Sequence, residues 1–502
     1  MNPEELISAE QIFDVAIIGY GPTGATLANL LAQEGHQVLV IEREADIYNL
    51  PRAVHFDDET MRVFQTVGIA EKLSQLVHIN PGMKFQDNND NVLLDWPRDQ
   101  HITAHGWHAS YRLHQPDLET LLRQQLNQKT NVHEALDCQA QALKDNSDHV
   151  EITCNNKVFK ARYVVGCDGA NSLVRKSIND DMKDFGFRER WLVVDVILNK
   201  PRPDLGDHSI QFCDSQRPMT YCRSPGLRRR WEITILKDES DEEIRSEERV
   251  WELLARWIGP HEAQLERSAV YTFRSAIARQ WHSGRLLIAG DAAHLTPPFM
   301  GQGMCMGIRD AANLAWKLTE VLKSDSGNSL LKSYQAERSP HAQAYIETAI
   351  RLGGLINSMD SDSALQMAQN QSNNDQSKGE TTIKSIQPKL GASSHLHSVG
   401  EQPENSVGLS FAQPLLNSGT VRFDELAGCK HALITRRSLQ NKAPEGFIAL
   451  SADDQPSLET ELDKLGANAV WVRPDRYIGA IANSSEALLK QLPKTYTVNL
   501  TQ

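Results

Sequence analysis

The hydrophobic pattern at the start of the chain predicts a strand, a helix and a second strand. An apolar, β-rich run at residues 13–18 ends in glycines, and residues 25–31 have the spacing of a helix that stops at Gly35. A second apolar run, at residues 38–41, ends at Glu42. This order predicts that the chain opens with a βαβ unit.

The pattern changes in the middle of the chain and then returns. Residues 184–275 contain β-type runs, among them 191–198 and 231–236, separated by Pro, Asp and Arg clusters. From Arg285 onwards, RLLIAG has the composition of a buried strand and MGIRDAANLAWKLTEVL has the spacing of an amphipathic helix. We therefore predict a discontinuous first domain, residues 1–183 and 276–357, interrupted by a sheet-rich substrate domain, residues 184–275.

The last third of the chain predicts a polar connection and a small domain. Residues 358–408 are rich in Ser, Asn, Gln, Asp and Gly, a composition that rarely builds a core, so we predict a linker or mobile loop. Residues 409–502 alternate strand-like runs at 431–435, 447–450 and 469–472 with a helical pattern at 457–465. The predicted fold class is α/β, with an α+β character overall.

Composition and charge narrow the classes of function. The chain has 502 residues, 40% hydrophobic and 23% charged, as is ordinary for a globular protein. A formal net charge of −13 argues against a nucleic-acid partner, which requires a positive footprint. No apolar run approaches the roughly 20 residues of a membrane span, and the acidic N-terminus lacks a signal-peptide pattern. We expect a cytoplasmic protein.

The cysteine pattern argues against metal and disulfide chemistry. The seven cysteines are scattered and contain no CxxC pair. We therefore expect a reduced chain without a structural zinc, another metal site or a disulfide framework.

The first chemical motif is GYGPTG, residues 19–24, between the first predicted strand and helix. Gly19 permits a tight turn, Gly21 lets the backbone approach a pyrophosphate, and Gly24 allows close helix packing. The helix N-terminus favours the negative charge of a phosphate. Glu42, about 20 residues further on, is placed to accept hydrogen bonds from an adenosine ribose. Strand, helix and acidic residue together predict a dinucleotide site rather than a structural glycine turn.

The second motif is CDGANS, residues 167–172, after a predicted strand at residues 163–166. By themselves Asp168 and Gly169 are more typical of a plain turn, because both residue types suit turn geometry. The motif is informative only in combination with the other two.

The third motif consists of GDAAH, two prolines and GQGM, within residues 290–304. Asp291 at a strand end can bind a sugar-like polyol, and the glycine loop opens a helix whose free N–H groups and positive dipole face the bound group. Such a helix end suits the negative charge of a reduced flavin. The alternative is an Asp N-cap followed by a loop that the prolines stiffen.

In this order the three motifs resemble the class A flavoprotein aromatic hydroxylases, the group of para-hydroxybenzoate and phenol hydroxylases. The resemblance covers about residues 12–350. Within the group, PRAVHFDDETMRVFQTVG, RDAANLAWKL and VRPDRYIGA are most similar to 3-(3-hydroxyphenyl)propionate hydroxylase and its relatives. This implies a Rossmann-like FAD-binding domain of the glutathione-reductase type, a β-sheet substrate domain and a C-terminal thioredoxin-like domain. Several relatives lack redox cysteines in that last domain, and here it contains only Cys429.

The resemblance implies cofactor-binding residues in the first half of the chain. The glycines and Glu42 would hold the ADP part of FAD. The set at the first motif and the second strand comprises Gly19, Gly21, Pro22, Thr23, Gly24, Glu42 and Arg43. Arg52 would lie near the flavin, and Gln115 would reach the pyrophosphate. Asp168 and Gly169 match a motif that serves both FAD and NAD(P)H in these enzymes.

The resemblance implies a second set of cofactor-binding residues at the third motif. Asp291 would bind the ribityl chain, and residues 301–304 would line the isoalloxazine edge. The set comprises Gly290, Asp291, Pro298, Gly301, Gln302, Gly303 and Met304. Many members have Asn shortly after the GQG segment, where this chain has Cys305. A flavin contact from backbone N–H groups tolerates that change, whereas a side-chain contact would be lost.

The resemblance also implies candidate catalytic residues. Pro298 matches a position whose backbone carbonyl faces the substrate hydroxyl. Tyr221 and Arg223 lie where related enzymes present substrate contacts, and a one-residue slip of this alignment would move the assignment to their neighbours. Arg217 and Arg230 are rivals for binding a substrate carboxylate, which matches the fork of a guanidinium.

His55, close to Arg52, completes the candidate catalytic set. It could act as the base that ionises the phenol, and the alternative is a hydrogen-bonded structural histidine.

The implied activity is that of an FAD-dependent monooxygenase that uses NADH or NADPH and oxygen. It would hydroxylate a small phenolic ring, such as a phenolic acid, through a flavin C4a-hydroperoxide. One alternative is another flavin monooxygenase, either a Baeyer-Villiger enzyme or a quinone- or antibiotic-modifying hydroxylase. The other is a catalytically silent flavin-binding or electron-transfer protein. A homodimer is compatible with these readings.

Overall fold

The computed structural model describes residues 11–48, 52–155, 157–214, 216–323, 328–358, 386–393, 396–398, 406–439, 443–490 and 492. Most of the polar segment predicted at residues 358–408 therefore lies outside the described residues. Within the described chain, the largest sheets have eight, eight and five strands.

The strands, in chain order, are β1 (Ile12–Ile18), β2 (Val38–Ile41), β3 (His55–Asp57), β4 (His78–Ile79), β5 (Gly82–Gln86), β6 (Val92–Pro97), β7 (Ser110–Arg112), β8 (Val132–Ala135), β9 (Ala140–Asp145), β10 (Val150–Cys154), β11 (Lys157–Gly166), β12 (Met182–Leu198), β13 (Ser209–Phe212), β14 (Met219–Arg223), β15 (Arg228–Thr234), β16 (Ala263–Ala278), β17 (His282–Ser283), β18 (Leu286–Ile288), β19 (His294–Leu295), β20 (His397–Ser398), β21 (Leu415–Leu416), β22 (Val421–Arg422), β23 (His431–Thr435), β24 (Phe447–Ser451), β25 (Ala469–Val472) and β26 (Ile478–Ala482).

The helices are α1 (Pro22–Gln33), α2 (Asp58–Val67), α3 (Ala70–Ser74), α4 (Gln115–Leu126), α5 (Leu173–Ile178), α6 (Asp241–Ile244), α7 (Glu247–Leu254), α8 (Gly303–Lys323), α9 (Asn328–Ser358), α10 (Phe423–Ala427), α11 (Ser457–Lys464) and α12 (Ser485–Leu489). Short 3₁₀ turns occupy Pro203–Leu205, Gly290–Ala292 and Pro298–Met300. In the part of the chain that is described, no helix combines the length and the apolar character that crossing a bilayer requires.

The first sheet brings the three sequence motifs to one edge. Its order is β17-β18-β11-β1-β2-β8, and the five strands from β18 to β8 are parallel. The predicted strand, helix and strand at residues 13–41 are confirmed as β1, α1 and β2. Strands β1, β11 and β18 end just before the three motifs. Because they are parallel neighbours, their carboxyl ends meet in the crevice where open α/β sheets bind ligands.

The second sheet has the order β19-β16-β12-β15-β14-β13-β5-β6. Its long central strands β12 and β16 pair antiparallel. The sequence analysis placed the substrate domain at residues 184–275 and left β5 and β6 in the first domain. In the structure β5 instead pairs in parallel with β13, more than a hundred residues away. The hydrophobic pattern of a strand reports its own burial and not its distant partner, so this pairing was not predictable from periodicity.

The third sheet forms the C-terminal domain, in the order β20-β26-β25-β23-β24. The predicted runs at 431–435, 447–450 and 469–472 are confirmed as β23, β24 and β25, and the predicted helix as α11. Buried polar contacts attach this domain to the first one. Arg62 of α2 pairs with Asp424 at 2.8 Å, and Asn313 of α8 donates to Asp475 at 2.7 Å.

One expectation about the cysteines is wrong. The structure contains a disulfide between Cys138 and Cys154, which flank the β9–β10 hairpin. Their Cα atoms lie 5.9 Å apart, within the range that a disulfide can bridge. The spacing of 16 residues carries no motif, and the hairpin that brings the two residues together is not visible in the cysteine pattern.

Helices α1 and α8 approach each other closely at their first turns. A Cβ added at Gly307 would lie 2.3 Å from Oγ1 of Thr23, and one added at Gly290 would lie 2.8 Å from the same atom. The side chain of Thr23 therefore fills the space between two glycines. This contact holds the first motif against the third.

We expect Gly307→Ala to destabilise the protein by about 1–3 kcal/mol, because the added methyl group overpacks the contact with Thr23. Gly354→Ala in α9 is the matched control, since a Cβ at Gly354 meets no atom within 4 Å. Replacing that helical glycine should be neutral or stabilise by up to about 1 kcal/mol. Urea unfolding measures both effects. In a Thr23→Ala background the cost of Gly307→Ala should fall but not vanish, because the added Cβ would still lie 3.2 Å from Cα of Gly290. An undiminished cost would refute the proposed contact.

Candidate active site

The first two motifs touch through their backbones. Gly19 has φ +102°, and a Cβ there would lie 2.3 Å from the carbonyl oxygen of Cys167. The N–H of Cys167 in turn donates to the carbonyl of Ile18 at 2.8 Å. A Cβ at Gly24 would lie 2.0 Å from the carbonyl oxygen of Gly19. Both glycines are thus required by close backbone approach, as their positions in the motif predict.

The N-terminus of α1 is built to receive an anion. Gly21 is the N-cap residue and supplies no side-chain hydrogen bond, and the helix begins at Pro22. No atom lies within 4 Å of a Cβ built on Gly21, so this side of the turn is open. The first N–H groups of the helix therefore have no side-chain partner at the cap, an arrangement that suits a pyrophosphate.

Glu42 shapes the loop after β2. Its carboxylate accepts from the N–H of Tyr20 at 2.7 Å and from the N–H of Glu44 at 3.0 Å. A carboxylate has about four acceptor sites, so acceptor capacity remains for a ribose hydroxyl. Arg43 is exposed and pairs with Glu44 at 3.1 Å.

Gln115 positions the segment that carries Arg52. Its Oε1 accepts from the N–H groups of Arg52 at 3.2 Å and Ala53 at 2.7 Å, and its Nε2 donates to Glu119 at 2.7 Å. The carbonyl of Arg52 accepts from Arg230 of the second sheet at 2.8 Å. The exposed guanidinium of Arg52 lies 5.3 Å from the ring centroid of Tyr48. Gln115 therefore acts on the backbone of this segment.

Asp168 carries an acceptor that the described protein does not satisfy. Its Oδ2 accepts from the N–H of Leu173 at 2.7 Å, at the start of α5. Its Oδ1 is buried without a hydrogen-bond partner among the described residues. Burial raises the pKa of this carboxyl above its ordinary value. Buried acceptors are seldom left unpaired, so this oxygen fits a ligand donor such as a hydroxyl. Gly169 follows with φ +77° and open space around it.

Asp291 lies in the short 3₁₀ turn Gly290–Ala292 that follows β18. Its side chain is exposed to solvent, yet the surrounding protein raises its pKa above the ordinary value, while the charges of His294 and Arg52 act in the opposite direction. Among the described residues no hydrogen bond to its carboxylate acts on its pKa. An accessible carboxylate enclosed by protein on several sides is suited to bind the hydroxyls of a polyol chain.

Asp310 of α8 accepts hydrogen bonds from the GDAAH turn, residues 290–294. The sequence analysis did not single out this residue. Its Oδ2 accepts from the N–H of Gly290 at 3.1 Å and from Nε2 of His294 at 2.6 Å. Its Oδ1 accepts from Nε of Arg338 at 2.9 Å. Asp310 is fully buried, and His294 and Arg338 keep its pKa below the ordinary value. The signal was present in the RDAANLAWKL segment, whose Asp falls among apolar helix positions.

The GQGM loop is fixed from behind by Arg309. Gln302 is buried and its Oε1 accepts from Arg309 at 3.2 Å. Arg309 also pairs with Asp57 at 2.6 Å and Glu59 at 2.7 Å. Helix α8 begins at Gly303, so its free N–H groups follow directly after a braced loop. Met304 lies in the first turn of this helix and is half-buried.

His55 supports this loop. Its Nδ1 lies 3.2 Å from the carbonyl oxygen of Gly301, and its Nε2 lies 2.8 Å from Oγ of Ser110. Gly301 has φ +61°, and a Cβ there would lie 2.9 Å from Cβ of His55. Burial and the charge of Arg112 lower the pKa of His55 to about 3. A neutral histidine with both nitrogens engaged fits the structural alternative better than a phenol-ionising base.

Cys305 is buried behind the same loop. Its Sγ lies 3.8 Å from the carbonyl oxygen of Gly301 and 4.0 Å from that of His55. Burial raises the pKa of the thiol to about 12, so it stays protonated. The side chain is turned to the protein interior, which leaves backbone N–H groups as the flavin contacts that this position can offer.

The second sheet has one apolar and one polar face. Tyr221 packs on the apolar face, with its ring centroid 5.1 Å from that of Trp231. Thr220 and Cys222 alternate with it and lie on the opposite face. That opposite face meets the FAD-side domain, since Arg230, the partner of Cys222, donates to the carbonyl of Arg52.

Tyr221, predicted as a substrate contact, therefore points away from the first domain. Arg223, the other predicted contact, lies at the end of β14 and shares Asp207 with His78 of β4, at 3.2 Å and 3.9 Å. A one-residue shift along a strand moves every side chain to the other face. The neighbouring residues Thr220 and Cys222 lie on the polar face, which is turned toward the first domain, where a substrate contact is expected. Thr220 donates to Gln211 at 2.7 Å on that face.

Each predicted carboxylate-binding arginine already has an acidic partner. Arg223 pairs with Asp207 at 3.2 Å, and its guanidinium lies at the end of β14. Arg217 pairs with Glu239 at 2.7 Å. A third pair joins Arg230 and Asp195 at 2.7 Å.

Arg112 is a buried cation that the sequence analysis did not single out. It donates to the hydroxyl of Ser209, and its Nε is buried without a hydrogen-bond partner among the described residues. Burial lowers its pKa. It is the register partner of His55 across β3 and β7, so both side chains lie on the same side of that small sheet.

An aromatic wall stands beside Pro298. Phe299 packs against Phe187 and Trp191 of β12, with ring centroids 5.7 Å and 6.0 Å apart. On its other side a Cβ at Gly353 of α9 would lie 2.2 Å from the Phe299 ring. The carbonyl of Pro298 accepts from the N–H of Gly301 at 2.8 Å and retains a second lone pair. In the sequence, Phe299 directly after Pro298 was the only indication of this aromatic cluster.

Comparison with known proteins agrees with this geometry. Residues 13–349 match a protein family described as FAD binding domain. The chain is 42% identical over 346 residues to a probable NADH-specific resorcinol 4-hydroxylase of Rhodococcus jostii, a match that covers 68% of this chain and 65% of that protein. It is 31% identical to a 3-(3-hydroxy-phenyl)propionate/3-hydroxycinnamic acid hydroxylase of Mycolicibacterium gilvum, over 97% of this chain and 93% of that protein.

The fold is shared with solved hydroxylase structures. The crystal structure of aklavinone-11 hydroxylase with FAD and aklavinone superposes with a TM-score of 0.78 at 20% sequence identity, covering 96% of this chain and 99% of that one. The predicted α/β fold and the resemblance to class A flavoprotein hydroxylases are confirmed. With three motifs at one sheet edge and a family match that spans them, this chain belongs to the FAD-binding domain family of flavin-dependent hydroxylases.

Proposed function

We propose that this chain hydroxylates a small phenolic ring, with NADH as reductant and oxygen as co-substrate. The observation that carries the proposal is the meeting of two carboxylates with free acceptor capacity, Asp168 at its Oδ1 and Asp291, with the N-termini of α1 and α8 at one sheet edge. The aromatic wall at Phe299 lies beside the same loop. NADH is the reductant named for the resorcinol relative.

We call the residues of the three motifs together with Glu42 the flavin cradle. They match the parts of FAD in order. The N-terminus of α1 would hold the pyrophosphate, Glu42 the ribose, and Asp291 the ribityl hydroxyls. Pro22, Thr23 and Arg43 complete this end of the site, with Thr23 acting through its packing between two glycines. When bound, FAD accepts hydride from the nicotinamide and supplies the oxygen chemistry.

The protein's own residues would hold the flavin and the phenolic ring, and would favour the reduced flavin and the ionised phenol. The N-terminus of α8 would hold the flavin edge, and its positive dipole would favour the negative charge of a reduced flavin. The second lone pair of the Pro298 carbonyl can accept from a phenol hydroxyl. The buried charge of Arg112 favours the ionised form of a phenol bound near His55, because an adjacent cation lowers its pKa.

The residues near Pro298 and on the polar face of the second sheet favour a neutral dihydroxybenzene of the resorcinol type as the substrate. The predicted carboxylate binders, Arg217, Arg223 and Arg230, already pair with acidic residues. A phenolic acid would have to use Arg112 instead. Over spans of similar length, the identity to the resorcinol relative is 42% over 346 residues and that to a phenylpropionate hydroxylase of Mycolicibacterium smegmatis is 35% over 353 residues, which supports the same choice.

A substrate panel tests the activity. We expect resorcinol to stimulate NADH oxidation more than 3-(3-hydroxyphenyl)propionate does, and NADPH to support lower rates than NADH. The product should carry one added hydroxyl whose oxygen derives from O₂, as isotope labelling and mass spectrometry would detect. Stimulated oxidation that yields only hydrogen peroxide would refute hydroxylation, and faster turnover of the phenolic acid would assign Arg112 to its carboxylate.

Asp291→Ala tests the cradle. Losing a charged acceptor of the ribityl hydroxyls should weaken FAD binding by about 10- to 100-fold, the equivalent of roughly 1.5–3 kcal/mol. Titration of the apoprotein with FAD, followed by flavin fluorescence, measures the Kd. Asp148→Ala, at an exposed position, is the control and should leave the Kd unchanged. An unaltered Kd for Asp291→Ala would remove this residue from the site.

A pair of variants on β14 tests which face meets the substrate. Thr220→Val removes one hydroxyl from the inner face and should raise KM about 2- to 10-fold or increase peroxide release, in line with one hydrogen bond. Tyr221→Phe removes a hydroxyl from the outer face and should leave both quantities within a factor of about two. The opposite result would return the substrate contact to Tyr221.

A further inference from the structure

Glu232 lies on the polar face of the second sheet, the face turned toward the first domain. It belongs to β15, and its cross-strand partners are Thr220 of β14 and Val193 of β12. Partners that lie directly opposite each other in neighbouring strands point to the same face, so Glu232 shares the face of Thr220. The ring of Trp231, the preceding residue, packs in the core on the apolar face. Neither the sequence motifs nor the proposed chemistry assigns Glu232 a role.

The position of Glu232 on this face is next to the aromatic wall. Trp191, whose ring centroid lies 6.0 Å from that of Phe299, is two residues along β12 from Val193. Diagonal neighbours of this kind lie about 7–8 Å apart in a sheet, within reach of a long side chain. Phe299 directly follows Pro298, whose carbonyl is the proposed acceptor for the phenol hydroxyl. Glu232 is therefore close to the place proposed for the substrate ring.

Aromatic side chains also border the other end of this row. Thr220 pairs in register with Gln211 of β13, which in turn pairs with Phe85 of β5. Phe85 belongs to an apolar cluster with Trp96, and Phe299 packs against that cluster. The polar side chains of Gln211, Thr220 and Glu232 thus lie between two sets of aromatic residues. This arrangement suits a ring that carries hydroxyl groups.

The carboxylate of Glu232 has free acceptor capacity. Its Oε1 lies 3.7 Å from Nη1 of Arg230, which is longer than a hydrogen bond. Among the described residues no hydrogen bond acts on its pKa. Neither of its oxygens belongs to the buried polar atoms that are closed off without a partner, and 12% of its side chain is exposed. The two oxygens therefore face space that a water molecule can enter.

The acidic neighbour of Glu232 on the same face, Asp195, is engaged. Its Oδ1 accepts from Nε of Arg230 at 2.7 Å, and its Oδ2 accepts from Nη2 of Arg230 at 3.1 Å. The same Oδ2 lies 3.0 Å from Nε of Arg267. Both oxygens of Asp195 thus have guanidinium partners, whereas those of Glu232 are left to a ligand.

The groups around Glu232 partly compensate a negative charge. Burial raises the pKa of its carboxyl, and Asp195 acts in the same direction. The guanidiniums of Arg230, Arg112 and Arg267 act in the opposite direction. A substrate hydroxyl that donates to the carboxylate would compensate the charge further, because a hydrogen bond to the ionised form favours that form. A substrate carboxylate at the same place would add a like charge in a desolvated space, which is unfavourable.

We propose that Glu232 determines the substrate of this site: its carboxylate accepts a hydrogen bond from the second hydroxyl of a dihydroxybenzene and disfavours a ring that carries a carboxylate. The inference rests on the proposed function, because it names the substrate group that the same site recognises. The hydroxyl that is ionised would lie at Pro298 and Arg112, and the second hydroxyl would point to Glu232. Selection against phenolic acids then comes from a negative group on the sheet, in addition to the pairing of the nearby arginines.

Glu232→Gln tests the proposal, because it keeps the size of the side chain and one acceptor oxygen but removes the charge. The Kd of each phenol is measured from the change in flavin absorbance when the oxidised, FAD-loaded protein is titrated. We expect the Kd of resorcinol to rise about 5- to 20-fold, as a charge-assisted hydrogen bond is weakened. The Kd of 3-(3-hydroxyphenyl)propionate should fall at least about threefold, because a like charge is removed. Phenol, which lacks the second hydroxyl and the carboxylate, should keep its Kd within about twofold.

Two further variants serve as controls. Glu252→Gln removes the same charge from an exposed position of α7, a helix that packs on the apolar face of the same sheet, and should leave all three Kd values within about twofold. Glu232→Asp keeps the charge but shortens the side chain. It should weaken resorcinol and leave the Kd of the phenolic acid within about twofold, which keeps the proposal testable if circular dichroism shows that Glu232→Gln is unfolded.

The outcomes separate this inference from the proposed function. Equal weakening of phenol and resorcinol by Glu232→Gln would make Glu232 a structural residue, and an unchanged Kd of the phenolic acid would remove its charge from substrate selection. Either result overturns the inference, even if resorcinol is hydroxylated normally. Binding is measured without turnover, so the expected Kd pattern together with release of hydrogen peroxide alone would support the inference and refute the hydroxylation.

Discussion

The arrangement of the flavin site depends on one buried carboxylate, that of Asp310. It accepts from a backbone N–H of the GDAAH turn, from His294 within that turn and from Arg338 of α9. Removing one partner from such a buried charge is costly, typically 3–5 kcal/mol, because the remaining charge loses its compensation. The position of Asp291 therefore follows from interactions behind it that never touch the cofactor.

The same logic extends to the C-terminal domain. Arg338 contacts His341, which lies next to Tyr477, and Tyr477 in turn donates to Glu59. Glu59 pairs with Arg309, which braces the loop at Gln302. Glu59, Arg309 and Tyr477 belong to the three segments that resemble 3-(3-hydroxyphenyl)propionate hydroxylase, at residues 51–68, 309–318 and 472–480. These segments thus meet in one polar network. Their distinctive residues serve domain attachment as much as chemistry.

Local patterns in the sequence predicted much of the fold. The strand runs at 13–18, 38–41 and 431–435 were confirmed because burial on both faces leaves a continuous apolar signature. The glycines at positions 19 and 24 were assigned correctly because each is required by a backbone contact within or next to its own motif. These features depend on short-range constraints, which a sequence displays directly.

The features that the sequence did not reveal depend on distant partners. Strands β5 and β6 join the second sheet through β13, and the hairpin that pairs Cys138 with Cys154 leaves no spacing motif. Tyr221 stays a prediction as a substrate contact, although its ring lies on the apolar face with Trp231, because in a strand an alignment shift of one residue reverses the side to which a side chain points. Arg112 and Asp310 were overlooked because their partners, Ser209 and the 290–294 turn with Arg338, are distant in sequence and meet them only in the folded chain.

The backbone of Arg52 is held from two domains at once. Its N–H is bound by Gln115, and its carbonyl accepts from Arg230 of the second sheet, while its guanidinium remains exposed over Tyr48. A residue anchored in this way can respond to a ligand by rotating its side chain without displacing the chain. Any change in the angle between the two sheets, by contrast, would have to break or stretch one of the two backbone bonds, which makes this residue a natural reporter of domain movement.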